Sequence, residues 1–213
     1  MLEKMPAWFG SLLRNVRAGH SKLTIVNEAI GVGGKGVIDA SIDLSSPAFQ
    51  NHGEIPIRFT ADGDGISPPL VWGALPEGTM SLALIVEDAD APAPKPLVHA
   101  LLWDIPRDQF GVAEGAISGS EVSGAGLEVG RNSFMAQGWL PPDPPAGHGS
   151  HDYVFQLFAL SEAPTLDEKP GRSEVVEAMR GRVIGAGMLI GTYSRDKTED
   201  ARSSRLSASP SPA

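Results

Sequence analysis

The chain has 213 residues, 41% of them hydrophobic and 20% charged, with 25 glycines, 18 prolines, no cysteine and a formal net charge of -9. The negative balance argues against non-specific binding to nucleic acid or to anionic lipid surfaces, and the lack of cysteine excludes disulfides, thiol nucleophiles and thiolate metal sites. No run of about 18 apolar residues is present to span a membrane, and glycine and proline without a fixed period point to one turn-rich β domain.

In chain order, the first twenty residues put Trp8, Phe9, Leu12, Leu13 and Val16 on one stripe of a short helix that begins near Pro6 and stops at Gly19. Such a stripe packs on its own domain or on a second subunit, although Lys4, Arg14 and Arg17 would also suit a membrane surface. The segment lacks the continuous apolar stretch of a secretory signal, so the cytoplasm is the expected compartment. Gly31 to Gly36 reads GVGGKG, with Gly rather than Ser or Thr after the lysine and no helix pattern following, which makes it a flexible connector rather than a phosphate loop. Residues 1–36 are therefore expected to be a helix and connector, 37–195 a folded domain, and the Ser/Pro-rich residues 196–213 a disordered tail.

Inside the domain, VIDASIDL from Val37, SLALIVED from Ser81, LVHALLWDI from Leu97, YVFQLFAL from Tyr153 and VIGAGMLIGTYSR from Val183 read as strands. SEVVEAMRG predicts one late helix, with Ser173 as N-cap, Val175, Val176 and Met179 on its buried face and Gly181 as its stop.

Polar insertions interrupt these apolar runs at four places: Glu87 to Pro92 (EDADAP), His99, GRNSF around Asn132, and His151 to Tyr153 (HDY). A rigid sheet holds loop side chains at strand ends in fixed geometry, which is where a β domain keeps its ligand groups. Imidazole donates to oxyanions, an aspartate orients a histidine through its other ring nitrogen, and Asp88 and Asp90 face the same side if their backbone is extended. Each feature also has a plainer reading: Asp-x-Asp before Ala-Pro makes turns, and a lone strand histidine such as His99 is often structural. His20, His52 and His148 lack such neighbours and read as surface residues. A metal-assisted hydrolase built on Asp88, Asp90 and the two histidines would need tighter ligand spacing, and a serine hydrolase at Ser150 would need a G-x-S-x-G turn that does not occur.

Taken together, ADGDGISPPLVWGALPEGTMSLALIVEDADAP, PLVHALLWDIP, GRNSF, PPDPPAGHGSHDYVFQLFAL and MRGRVIGAGMLIGTYSR resemble, in order, the phosphatidylethanolamine-binding proteins and their bacterial Raf kinase inhibitor-like branch. The resemblance runs from about Ile38 to Arg195. It implies a mainly β fold, a large antiparallel sheet on a smaller one with short peripheral helices, and a small pocket for phosphate-like groups. The residues it marks are Asp88, Asp90 and Pro92 of the first signature, His99 of the next strand, Gly138 of the loop, and His151 and Tyr153 of the second signature. Ala89, Ala100, Pro141 and Asp152 depart from the family pattern, and Pro141 removes a backbone N–H from the loop.

The expectations are therefore a non-enzymatic, phosphoryl- or oxyanion-binding regulatory protein without a cofactor, with no nucleic-acid partner and a tendency to homodimerise. The alternative is a protein-interaction module that inhibits a kinase or protease through surface loops. The tight Ala91-Pro92 corner predicts a cis peptide bond, and histidine protonation predicts tighter anion binding as the pH falls through about 6.5.

Overall fold

The computed structural model describes residues 15–27, 40–118, 127–167 and 169–196, together with positions 11 and 13. Helix α1 (Thr24–Asn27) is followed by β1 (Leu44–Ser45), β2 (Gly53–Glu54), β3 (Leu70–Trp72), β4 (Ser81–Asp88), β5 (Leu97–Pro106), β6 (Gly111–Val112), β7 (Glu128–Val129), β8 (His151–Leu160), α2 (Arg172–Met179) and β9 (Val183–Tyr193). Six strands form a large sheet in the order β2-β9-β8-β4-β5-β7, and β1-β3-β6 form a small one. Pairing is antiparallel except at the edge, where β2 runs parallel to β9.

The long apolar runs become central strands because both of their faces are covered. Leu82, Leu84, Val86, Phe155 and Leu157 point into the main core, shared with Leu70, Trp72 and Val112 of the small sheet. The alternate residues Ala83, Ile85, Phe158 and Leu160 point the other way, onto Val175, Val176 and Met179 of α2. Burial of each large side chain contributes about 1.5–3 kcal/mol, so these two layers supply most of the driving force. Glu174 Oε2 accepts a hydrogen bond from the Gly171 N–H at 2.9 Å and so caps the start of α2, whose N-cap is Gly171, two residues before the expected Ser173.

Three expectations change. VIDASIDL yields only the two-residue strand β1 and an isolated bridge from Ser41 to Ala186. Of the expected N-terminal helix stripe, Trp8, Phe9 and Leu12 lie outside the described residues, and Val16 is exposed at 47%. The Ala91-Pro92 bond is trans. The corner turns instead through a three-residue hydrogen bond from Ala93 N–H to Ala91 O at 2.7 Å, and proline's fixed φ suits the centre of such a turn.

Candidate functional site

The ends of β4 and β5 and the start of β8 meet at one edge of the large sheet, with Asp88 opposite both Leu97 and Tyr153. Val86 pairs with Ala100 and Glu87 with Val98, so His99 is the extra residue of a β-bulge. A bulge re-aims a side chain. Ala100 and Leu102 face the main core while Val98 and Leu101 face α2, and the added residue lets His99 swing to the side of Tyr153, with ring centroids 5.0 Å apart at 89°.

The proline loop from Gly138 to His148 forms the opposite wall and is hung at both ends. Leu140 N–H donates to His99 O at 2.7 Å, and the His99 ring Nδ1 meets Leu140 O at 2.7 Å. Asp143 pairs with Arg195, which also holds Asp62 at 2.8 Å. Between the walls lies a mostly apolar cavity of about 430 Å³ lined by Asp88, Pro92, His99, Pro141, Asp143 and His151, among others. Asp88, Pro92, His99 and His151 thus come together as expected, from segments up to 63 residues apart.

The other marked residues lie behind this surface. Tyr153 is fully buried beneath His99 and His151, with its hydroxyl unpartnered. Gly138 (φ 100) is a hinge whose carbonyl accepts from Asn132 Nδ2 at 3.3 Å. That backbone conformation suits glycine and little else. Asp90 turns away from Asp88: its Oδ2 accepts Asp152 N–H at 2.7 Å and its Oδ1 pairs with Arg17 at 2.6 Å. The two carboxylates therefore do not share the cavity.

His148 was expected at the surface and is instead fully buried. Its Nδ1 lies 2.6 Å from His151 Nε2, its Nε2 is 2.8 Å from Leu13 O, and His151 Nδ1 is 2.8 Å from Asp88 Oδ2. These three links need three protons, and two neutral imidazoles bring only two. With His148 neutral, its Nε2–H donates to Leu13 O and its Nδ1 accepts from His151 Nε2–H. The third proton then sits between His151 and Asp88. Burial holds His148 below the ordinary histidine range, and the neighbouring His151 adds to the effect.

His99 is likewise lowered, chiefly by burial, against a smaller opposing pull from Asp88. With Nδ1–H donated to Leu140, its Nε2 faces no protein partner. Burial raises the Tyr153 phenol well above 10, so it remains a donor. Sequence reasoning missed His148 because no chemistry-bearing residue adjoins it in the chain. The available signal was the H-x-x-H spacing inside a stiff, proline-anchored loop.

Two of the departures from the family pattern, Ala89 and Asp152, fit a second feature, a strap of residues 15–23 across the back of the corner. Ala18 and Gly19 donate N–H to Ala91 O and Ala89 O, Arg17 also donates to Ser150 O, and Leu23 packs with Ala89, Val154 and Ile190. Ala89 gives its N–H to Asp152 O, which proline could not do, and Asp152 meets His20 Nε2 at 3.0 Å. His20, Asp90 and Asp152 bring three potential metal donors within 4.8 Å, but Arg17 and the Asp152 N–H already occupy the Asp90 oxygens. His52 is exposed, as expected.

Residues 45–194 match the family model for phosphatidylethanolamine-binding protein. The chain belongs to the phosphatidylethanolamine-binding protein family. It is 38% identical over 154 residues to a UPF0098 protein of Methanothermobacter thermautotrophicus, covering 72% of this chain and 99% of that one. It is 35% identical over 155 residues to the putative lipoprotein LppC of Mycobacterium tuberculosis, covering 71% of this chain and 72% of that one. Among solved structures, a putative phosphatidylethanolamine-binding protein homologue from Chlamydia trachomatis matches with a TM-score of 0.66 and 31% identity, covering 74% of this chain and all of that one. E. coli YbcL matches with 0.68 and 25%, covering 73% and 99%. No described helix is long and apolar enough to cross a membrane. The family match begins at residue 45, so the strap lies outside it.

Proposed function

We propose that this family member binds a small ligand through a phosphoryl or similar oxyanion group held at His99, and acts as a regulator rather than as an enzyme. The observation that carries this reading is the pair of buried polar atoms without protein partners, His99 Nε2 and the Tyr153 hydroxyl, at and beneath one cavity. A buried polar atom left unpaired costs about 1–3 kcal/mol, so a ligand that satisfies it gains in proportion. His151 orients the site: both of its nitrogens are engaged by Asp88 and His148, which leaves neither as a free general base. With its Nδ1–H on Leu140 O, a neutral His99 accepts at Nε2 from a P–OH group, and once protonated it donates there to the oxyanion; two such contacts of roughly 0.5–3 kcal/mol each, less the entropy of binding, give micromolar to millimolar affinity.

The test is an NMR titration with inorganic phosphate and with phosphoethanolamine, following histidine resonances in the wild type and in His99→Ala. The wild-type His99 signal should move, and His99→Ala should bind at least tenfold more weakly. Equal affinity in the two proteins would remove the pocket from the account. Homodimerisation and a cytoplasmic location belong to the same proposal. Sedimentation checks the first, and fractionation checks the second against the lipid-anchored placement that the name of the lipoprotein relative suggests.

A further inference from the structure

A second, larger cavity of about 1020 Å³ lies on the other side of Leu97, which lines both. Its wall carries Lys22, Lys95, Arg131, Arg172 and Arg180 against one acid, Glu174. That is five of the chain's 17 lysines and arginines gathered on one surface of a protein with net charge -9. They come from four separate parts of the chain, so folding and not local sequence collects them.

Some of these charges are already balanced. Arg131 pairs with Glu174 at 3.4 Å, Arg172 with the buried Glu87 at 2.6 Å, and Arg180 with Glu177 at 3.2 Å. Lys22 donates to the neutral Pro94 carbonyl at 3.0 Å, and neither Lys22 nor Lys95 has a carboxylate partner among the described residues. Both are exposed. Arg131 Nε is buried with no hydrogen-bond partner. The groove therefore keeps a net positive field inside an acidic molecule, which concentrates anionic partners there.

The lip of the groove distinguishes a protein partner from a small anion. Phe134 and Met135 stand 54% and 67% exposed, between the two cavities. Their loop is rigid: Asn132 Oδ1 accepts from the N–H groups of Phe134 at 3.0 Å and Ala136 at 3.3 Å, and Ser133 exchanges hydrogen bonds with Val98. Met135 is held at φ 63, a conformation uncommon for a side-chain-bearing residue. Preorganised apolar side chains beside cations are the composition of a protein-binding hot spot. Arg172 and Arg180 lie eight residues apart on and just beyond α2, about 12 Å along a helix axis, so an occupant reaching both must be extended.

We infer that this groove docks an extended acidic segment of another protein, with carboxylates over Lys22, Lys95 and the arginines and an apolar side chain against Phe134 and Met135. The groove shares Leu97 and the lip residue Phe134 with the wall of the His99 pocket, while its lysines and arginines all lie outside that pocket.

Fluorescence anisotropy with the full chain tests it, using a fluorescein-labelled decapeptide of alternating glutamate and leucine, its lysine-leucine counterpart, and tripolyphosphate as competitor. The acidic peptide should bind, the basic one should not, and tripolyphosphate should compete only weakly. Lys22→Glu combined with Lys95→Glu should weaken binding at least tenfold, and Phe134→Ser with Met135→Ser several-fold. His99→Ala should leave binding unchanged. The lysines are exposed, so circular dichroism of their variant should match the wild type. Absence of acidic-peptide binding, full affinity in the lysine variant, or tripolyphosphate binding as tightly as the peptide would each overturn the inference.

Discussion

His148 Nδ1 lies 2.6 Å from His151 Nε2, and the pair joins Asp88 on one side to the Leu13 carbonyl on the other. The pocket histidine is thus oriented from both ends, by the last residue of β4 and by a buried loop residue that itself rests on the N-terminal strap. Removing His148 should disturb the pocket without touching its surface. His148→Ala strands the His151 Nε2–H in a buried site and opens a void, and should cost about 2–3 kcal/mol in urea unfolding. His148→Gln, which can still accept a hydrogen bond, should recover part of it. A His148→Ala protein with wild-type stability would show that the pair has no structural role.

Two buried histidines set the response to acid. His99 and His148 are both held below the ordinary histidine value of about 6.5 in the fold, so on acidification the unfolded chain takes up protons first. Their contribution is fully present above about 6.5 and is lost as the pH falls below it, with a slope approaching about 1.4 kcal/mol per pH unit for each histidine that is charged only when unfolded. Urea titrations from about pH 7.5 to pH 5 should show this fall, and a flat profile would contradict it. The same burial corrects the expected pH range of anion affinity. The rise through His99 protonation should come below 6.5 rather than at it, and calorimetric phosphate titrations across that range check it.

Arg17 ties the strap to Asp90 and to the Ser150 carbonyl. The guanidinium is a third exposed, so the ion pair is partly screened and Arg17→Ala should cost only about 1 kcal/mol. The larger effect should be local. Hydrogen exchange at the Ala18 and Gly19 amides, which bond to Ala91 and Ala89, should accelerate while that of β8 stays slow. Unchanged exchange at both amides would show that the backbone contacts alone fix the strap.

Glu87 is fully buried in β4 and accepts from Thr24 N–H at 2.8 Å, Gln156 Nε2 at 2.8 Å and Arg172 Nε at 2.6 Å. One carboxylate thereby pins α1, β8 and α2 to the same strand. Glu87→Ala takes the carboxylate from all three donors, leaving Gln156 Nε2 only its longer bonds to the Ile85 and Val154 carbonyls, and should cost about 3–5 kcal/mol, the range for breaking a buried ion pair. Thermal unfolding with a loss below about 1 kcal/mol would mean that water replaces it freely.

Much of this architecture is legible in the residues. SLALIVED coincides with β4, and the runs from Leu97, Tyr153 and Val183 become β5, β8 and β9, because a continuous apolar stretch has little alternative to a strand covered on both sides. Asp88, Pro92, His99 and His151 meet as expected because Asp88, His99 and His151 sit at or near strand ends on one sheet edge and Pro92 lies in the connection between two of those strands. The divergence of Asp90 was hidden: the pair faces one way only if the chain stays extended, and the corner bends after Asp88, whose Oδ1 accepts the Asp90 N–H at 2.8 Å. The bulge at His99 was equally hidden, since register arises between strands and not within one. The trans Ala91-Pro92 bond reflects a short hydrogen-bonded turn that demands the same proline by another route.

Because Leu23, Ala18 and Gly19 cover Ala89, Val154 and the carbonyls at the corner, domain limits drawn by homology from residue 45 would cut away the packing behind the pocket. A protein trimmed there should expose a greasy seam with unpaired acceptors behind the His99 cavity, and self-association of such a fragment would report the trimming rather than the native molecule.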